Sequence, residues 1–378
     1  MSDTNIKTYG DGSENNPYVS DDKCGGIQAG LNNLLHGGCL ELESARYNLE
    51  KTITMEQCSQ RILGKIWACN TDPNGVFESP NGTKLRLTGR DFPAIRIGDR
   101  TNPISGSKVS ELGIQGDIPG MDTRPLVNFE HPEYSAGICI DKVRCDQCGF
   151  SDISFCGLAN AVCASGTAMT DACVFERLNM DGCGNGFWIN PAVSVYSHIR
   201  NCVAADIPYY GIFVDGTGKR IHNLEIMSTH FVRCGGAFTD TDGMIPAAVL
   251  LKNVHKCDIY HNLFDNNGTF WHYPNDAVEN GQRDEEIHRN TVSLYVIGNE
   301  HRIRDNTFYN SSDDSIRIEG HGNILMNNIC DGNVRIRGRA SFINGLCFTK
   351  PESRLILEGD AKDTTVIFGV EEHRIVRI

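Results

Sequence analysis

Across the second half of the chain a five-residue apolar alternation keeps returning. It reads Tyr210-Gly-Ile-Phe-Val214, Ala247-Ala-Val-Leu-Leu251, Ser293-Leu-Tyr-Val-Ile297, Ser315-Ile-Arg-Ile-Glu319, Asn333-Val-Arg-Ile-Arg337 and Arg354-Leu-Ile-Leu-Glu358. Period two over about five residues marks a half-buried strand. Between these runs sits a second unit: two apolar residues five apart, with Asn two before the second. Ile259-Tyr-His-Asn-Leu-Phe264, Ile303-Arg-Asp-Asn-Thr-Phe308 and Ile324-Leu-Met-Asn-Asn-Ile329 are its clearest copies. Ile226-Met-Ser-Thr-His-Phe231 carries Thr at the Asn position, and Ile199-Arg-Asn-Cys-Val203 is a shortened copy. No 3.6-residue periodicity runs through these segments, which argues against a helical solenoid.

The closing residues step by 28 from Val203 to Phe231, 44 from Phe264 to Phe308, 21 to Ile329 and 17 to Leu346. Such steps fit single coils of a β-solenoid, the 44-residue step being one coil with an insertion. One coil cannot bury its own apolar face, but coils stacked about 4.8 Å apart close a continuous core. Equivalent Asn residues then stack from coil to coil and bond through their amides. Cys202, Cys234, Cys330 and Cys347 read as small buried fillers near the same turns. The prediction is an all-β, single-domain right-handed parallel β-helix over residues 1–378. Residues 1–50 form the N-terminal cap, 51–350 the coils with an insertion at 268–290, and 351–378 the last strands. Within the cap, residues 26–35 place Ile27, Leu31, Leu34 and Leu35 on one face of a helix covering the open end of the core.

Composition narrows the partners. Thirty-nine glycines and frequent Asn suit a fold with many turns, because both residues tolerate left-handed backbone. A formal net charge of -13 gives no electrostatic footprint for nucleic acid or an anionic membrane. No apolar window is long enough for a membrane span, and the first residues lack the pattern of a secretory signal. The expectation is a cytoplasmic protein with reduced thiols among its 16 cysteines; a trimmed signal would instead allow secretion and disulfides. Cys145-x-x-Cys148 has no second pair at zinc-ribbon spacing, so no metal or cofactor is expected.

The stretch Gly26-Ile27-Gln28-Ala29, Gly37-Gly38, Leu40, Tyr47 and Ile53 resembles the start of pectate-lyase-like parallel β-helix proteins. Where such proteins usually carry Pro-Gly-x-Tyr, this chain has Ser44-Ala45-Arg46-Tyr47. The resemblance covers most of the chain and specifies fold better than reaction. The polygalacturonase pattern does not fit: Asp313-Asp314 and Gly320-His321-Gly322 are too close in sequence to lie on separate coils, and no Asn-Thr-Asp precedes them. The overall layout is closest to the inulin fructotransferase group, which implies a late insertion and a homotrimer. That group's catalytic coil resembles Leu178-Asn-Met-Asp-Gly-Cys-Gly-Asn-Gly-Phe-Trp188, but its two acids fall on Arg177 and Trp188 here, with Glu176 and Asp181 nearby.

Glycosidic cleavage by two carboxyls needs one as acid and one as base or nucleophile. Two turns offer pairs: Asp240 with Asp242, and Asp313 with Asp314, the latter followed by Arg317 and Glu319 on one strand face. The insertion holds Trp271, His272 and Tyr273; aromatic faces stack on sugar rings, and His272 could serve acid–base chemistry. Trp188, Tyr209 and Tyr210 extend the aromatic set, and Arg317 would bind substrate. The expected function is a carbohydrate-active enzyme, hydrolase, lyase or fructotransferase-like, acting on a poly- or oligosaccharide. The alternative is a non-catalytic glycan-binding solenoid such as a tailspike or adhesin. Each acidic turn also has a plainer reading as a solvated loop, and each aromatic as packing.

Overall fold

Successive coils pair in parallel and in register from residue 38 to 377. The computed structural model describes residues 7–13, 15–65, 82–98, 102–117, 123–238, 244–272, 285–288, 290–339 and 341–378, with backbone alone at 125, 270–272, 285–288 and 364. The first sheet runs from Ile53–Met55 through Ala136–Ile140, Asn185–Val195, Ala247–His255 and Ile316–Glu319 to Ile375–Arg377. A second runs from Gly38–Glu41 through His198–Arg200, Glu225–Met227 and Asp258–Tyr260 to Val366–Phe368. A third runs from Arg46–Leu49 through Val203–Ile207, His230–Cys234 and Leu263–Asp265 to Cys347–Phe348. The chain is a right-handed parallel β-helix. Inward residues of all three sheets form one core, in which Phe231, Phe264 and Phe308 stack with ring centroids 4.9 and 4.5 Å apart.

One corner explains the Asn-rich repeat. Between the second and third sheets a single residue per coil takes left-handed backbone: Glu111, Asp152, Arg177, Asn201, Ser228, His261, Asp305 and Asn327, all with φ between 49° and 59°. Such φ is uncommon outside glycine, and here it turns the strand in one step. The next residue points inward, and in the later coils it is the Asn that forms the ladder. Asn262, Asn306 and Asn328 are buried; each Oδ1 accepts the backbone N–H of the preceding coil, and each Nδ2 donates to a carbonyl there. The expected stacking is therefore found.

The register differs from the expected one at three coils. Ile303 pairs with Leu325, not Ile324, and the inward row reads Ala204, Phe231, Phe264, Phe308, Cys330, Phe348. Val203, Ile329 and Leu346 are not in it. The doublet Asn327-Asn328 conceals the shift: the first Asn takes the left-handed corner and the second the ladder. Asn266-Asn267 divides the same two tasks, with Asn267 Oδ1 accepting Cys234 N–H at 3.0 Å. Cys202, Cys234 and Cys330 are buried fillers, whereas Cys347 faces out because its strand pairs it with Ile329.

The cap helix is Ile27–Asn32. Ile27 and Leu31 are buried and Leu34 packs on the core, but Leu35 lies beyond the helix and is exposed. Asp22 accepts the N–H groups of Cys24, Gly26 and Ala29 and so satisfies the start of the helix. Gln28 closes the edge of the first sheet: its amide donates to Thr54 O and accepts Thr54 N–H, as a further strand would. The insertion springs from the corner between the third and first sheets as an antiparallel hairpin, Thr269–His272 against Glu285–His288. Among the described residues no helix is long and apolar enough to cross a membrane.

Candidate functional site

Outward side chains of the first sheet form one row along the solenoid. The register aligns Cys139, Cys163, Trp188, Phe213, Leu250, Tyr295, Arg317 and Arg335 on successive strands. Its first half is apolar and covered. Trp188 stacks on Phe213 at 4.1 Å. Phe129, from the segment before Ala136, lies 5.5 Å from the Trp188 ring and 5.7 Å from that of Tyr209. Phe238, from the segment after Cys234, packs on Tyr209 and Tyr210. The result is a second hydrophobic cluster outside the core. Trp188 and Tyr210, expected as an open sugar platform, belong to this packed cluster, because corner segments fold over them. Tyr210 donates its hydroxyl to Ile245 O at 3.0 Å, and burial pushes its phenol pKa up. Tyr209 stays half-buried at the rim. The Trp188 indole N–H has no partner among the described residues.

The second half of the row is charged. Asp314 is fully buried; its Oδ2 accepts Arg317 Nε at 3.1 Å, Arg317 Nη2 at 2.9 Å and Arg335 Nε at 2.9 Å. Asp313 accepts the same Arg317 Nη2 at 3.2 Å, and Arg335 Nη1 donates to Glu358 at 2.5 Å. Burial works against both guanidinium charges, but these carboxylates outweigh it and raise both pKa values. The turn before them is braced rather than solvated, since Ser311 N–H donates to Asp331 on the next coil and Thr291 N–H to Ser312.

Asp313 and Asp314 thus lean on one guanidinium, so neither side chain stands apart from the other across a groove. Glu319 differs. Its described partner is the Tyr295 hydroxyl, which donates to it, while Arg317 lies 5.3 Å from the Tyr295 ring centre. Burial and the Glu319 carboxylate push the Tyr295 phenol up to about 12. Asp240, Asp242 and Tyr273 lie outside the described residues; Trp271 and His272 fall on the hairpin strand, where the backbone alone is described.

The sequence reading passed over Tyr295, Arg335 and Glu358. Aligning Leu-Tyr-Val-Ile, Ile-Arg-Ile-Glu and Val-Arg-Ile-Arg from adjacent coils would have placed Tyr295, Arg317 and Arg335 in one row. It also passed over a groove of about 1020 Å³ between two earlier corners, lined by Arg90, Asp91, Asp117, Phe129, Glu130 and Tyr134 among others. On the coil that resembles the fructotransferase catalytic coil, Arg177 sits at the left-handed corner, bound to Asp152 at 2.6 and 2.8 Å and to Glu176 at 2.8 Å. No group of His, Cys, Asp and Glu among the described residues could hold a metal ion.

No family model and no curated protein matches the sequence. Solved structures do match the fold. The chain is similar to DFA-IIIase from Arthrobacter chlorophenolicus A6 in complex with GF2, with a TM-score of 0.63 and 14% identity over 93% of this chain and 90% of that one. The same enzyme without its lid gives 0.64 at 14% identity, covering 93% of each chain. Its complex with DFA-III gives 0.55 at 14% identity, over 93% and 91%. The likeness is one of fold. It agrees with the β-helix layout expected from the sequence and leaves the chemistry to the residues.

Proposed function

We propose that this chain is a carbohydrate-active enzyme that cleaves or rearranges glycosidic bonds of an oligo- or polysaccharide lying along the outer row of its first sheet. The observation that carries the reading is Glu319, bonded to the Tyr295 hydroxyl at the point where the row turns from apolar to charged. In this reading Glu319 is the reacting carboxyl, and the second comes from one of the acidic turns, the half-exposed Asp313 or Asp240 and Asp242. Arg317 ion-pairs with Asp313 and lies 5.3 Å from the ring centre of Tyr295, the partner of Glu319. Asp240, Asp242, His272, Trp271 and Tyr273 would complete the sugar-facing side from the corner loops, with Tyr209 at the rim. The neighbouring fold crystallised with GF2 and with DFA-III supports an oligosaccharide ligand on such a scaffold.

The test is product analysis on GF2, DFA-III, inulin and a broad panel of glycans. Glu319→Gln is expected to lower turnover at least about 100-fold while substrate still binds. Full activity in Glu319→Gln and in Asp313→Asn, Asp240→Asn and Asp242→Asn would sink this site. Binding with no product from any glycan would favour a glycan-binding solenoid instead.

A further inference from the structure

The corner between the first and second sheets brings three thiols together. Arg144–Asp146 is a strand of the first sheet, Gln147 turns the chain with left-handed backbone, and Cys148 leads into Gly149–Cys156. One coil later Asp171, Ala172 and Cys173 repeat the turn, with Ala172 in the left-handed position. The register pairs Asp146 with Asp171 and Gly149 with Val174, so Cys173 stands on Cys148. Cys145, Cys148 and Cys173 are all fully buried. Cys173 Sγ lies 3.7 Å from Cys145 Sγ and donates to Cys145 O at 3.3 Å. Cys145 also hydrogen-bonds with Cys148.

Other buried thiols turn to the backbone: Cys183 to Asp181 O, Cys202 to Arg200 O, Cys234 to Ala204 O and Cys257 to His255 O. Such residues behave as small apolar fillers. At this corner sulfur meets sulfur, and the two residues are 28 positions apart on adjacent coils. A disulfide holds its sulfurs about 2.05 Å apart, and opposed turns about the two Cα–Cβ bonds cover the remaining distance. Each coil of a solenoid touches only its neighbours. A covalent link between Cys145 and Cys173 would therefore add directly to the interface that holds one coil on the next. A link from Cys145 to Cys148 would stay within a single corner and join no coils.

We infer that Cys145 and Cys173 are an oxidative modification site, which a peroxide converts into a disulfide stapling two adjacent coils. A peroxide is close to water in size, so brief opening of the corner admits it. One thiol sulfur attacks a peroxide oxygen and the O–O bond breaks. The departing hydroxide takes the thiol proton and leaves as water, and a sulfenic acid remains on that cysteine. The second thiol sulfur attacks the first, the S–O bond breaks, and a second water leaves with the second thiol proton. The two thiols together lose two electrons and the peroxide gains them. Cys148 is left as a thiol. For a closed loop of this length in a chain of 378 residues, the thermal unfolding midpoint should rise by about 4 °C.

The full chain is reduced, freed of reductant and treated while folded with hydrogen peroxide; remaining thiols are then alkylated in denaturant. Cleavage before Asp146, Asp152 and Asp171 puts Cys145, Cys148 and Cys173 on separate peptides. Mass spectrometry should recover the Cys145 and Cys173 peptides joined, lighter than their sum by two hydrogens. The midpoint of the oxidised protein should rise by about 4 °C and return when reductant is added. Cys173→Ala should lose both the link and the shift, and Cys148→Ala should keep both. If Cys173→Ala fails to fold, the peptide map of the unsubstituted chain still decides. A link between Cys145 and Cys148 in place of the expected one overturns the inference. So does a link that forms only after the chain is unfolded, and so does full alkylation of Cys145 and Cys173 after peroxide.

Discussion

His301 is fully buried at the corner between the first and second sheets, where its two ring nitrogens have fixed tasks. Nδ1 accepts Cys257 N–H at 3.2 Å, and Nε2–H donates to Val254 O at 3.0 Å. The ring is therefore neutral, with its proton on Nε2. A second proton would set N–H against N–H in a site without water access. Burial lowers its pKa from 6.5 to about 4, and the nearby His255 adds to the shift while the Val254 carbonyl opposes it. The unfolded chain takes up this proton near 6.5 and the folded chain only near 4. Stability from this group is thus complete above pH 6.5 and is lost as pH falls from there towards 4. At about 1.4 kcal/mol per pH unit the loss comes to about 3 kcal/mol.

His301→Asn isolates that term. Asn323 already stands at the next coil, where its Oδ1 accepts His301 N–H, so an Asn at 301 extends an existing stack and removes the titration. Urea unfolding would be followed for both proteins from pH 7 to 4. Carboxylates titrate in both, so the quantity of interest is the difference between the two curves. The wild-type protein should lose about 3 kcal/mol more than the variant over this range. The variant should show a smaller, pH-independent cost from the space the imidazole vacates. Parallel curves would refute the reasoning, since they would mean that the ring takes up its proton equally in both states.

The Asn327-Asn328 doublet tests the register. Asn328→Ala strips a buried N–H and a buried carbonyl of their partners and should cost about 2–4 kcal/mol in chemical denaturation. Asn327→Gly, at a left-handed residue, should be neutral or slightly stabilising; equal costs would restore the register first read from the sequence. Phe264→Ala, between the stacked Phe231 and Phe308, should lower stability by about 3–5 kcal/mol, measured as a drop in urea midpoint. Arg335→Ala, leaving Asp314 and Glu358 short of a partner, should cost about 3 kcal/mol, and Asp314→Asn in the same protein should recover part of it.

The sequence made the solenoid readable because side-chain direction in a strand has a period of two, and Ile316, Ile318, Val334 and Ile336 all obey it. It made the turns readable because Asn and Gly favour left-handed backbone. It misled at Ile324 and Ile329, where adjacent Asn residues with opposite tasks look alike and an inward Cys330 looks less like core than an outward Ile329. The cover over Trp188 was not readable at all. Phe129 and Phe238 come from segments without periodicity, and only the closed coil brings both onto the ring of Tyr209, with Phe129 also on Trp188.

The same distinction runs through the polar groups of both faces. On the first sheet, proximity along the chain suggested Asp313 with Asp314 as a working pair, yet their closeness lets one guanidinium hold both. Other polar groups bond across coils, 20 to 45 residues apart: Tyr295 with Glu319 on one face, and His198 with Glu225 and Tyr260 on another. Each of these places a hydroxyl against a carboxylate without a guanidinium bonded to it. Coil spacing of about 4.8 Å sets how far apart such groups stand, so chemistry on this scaffold follows the register of its outward rows, and a search within single turns finds mainly the groups that brace the fold.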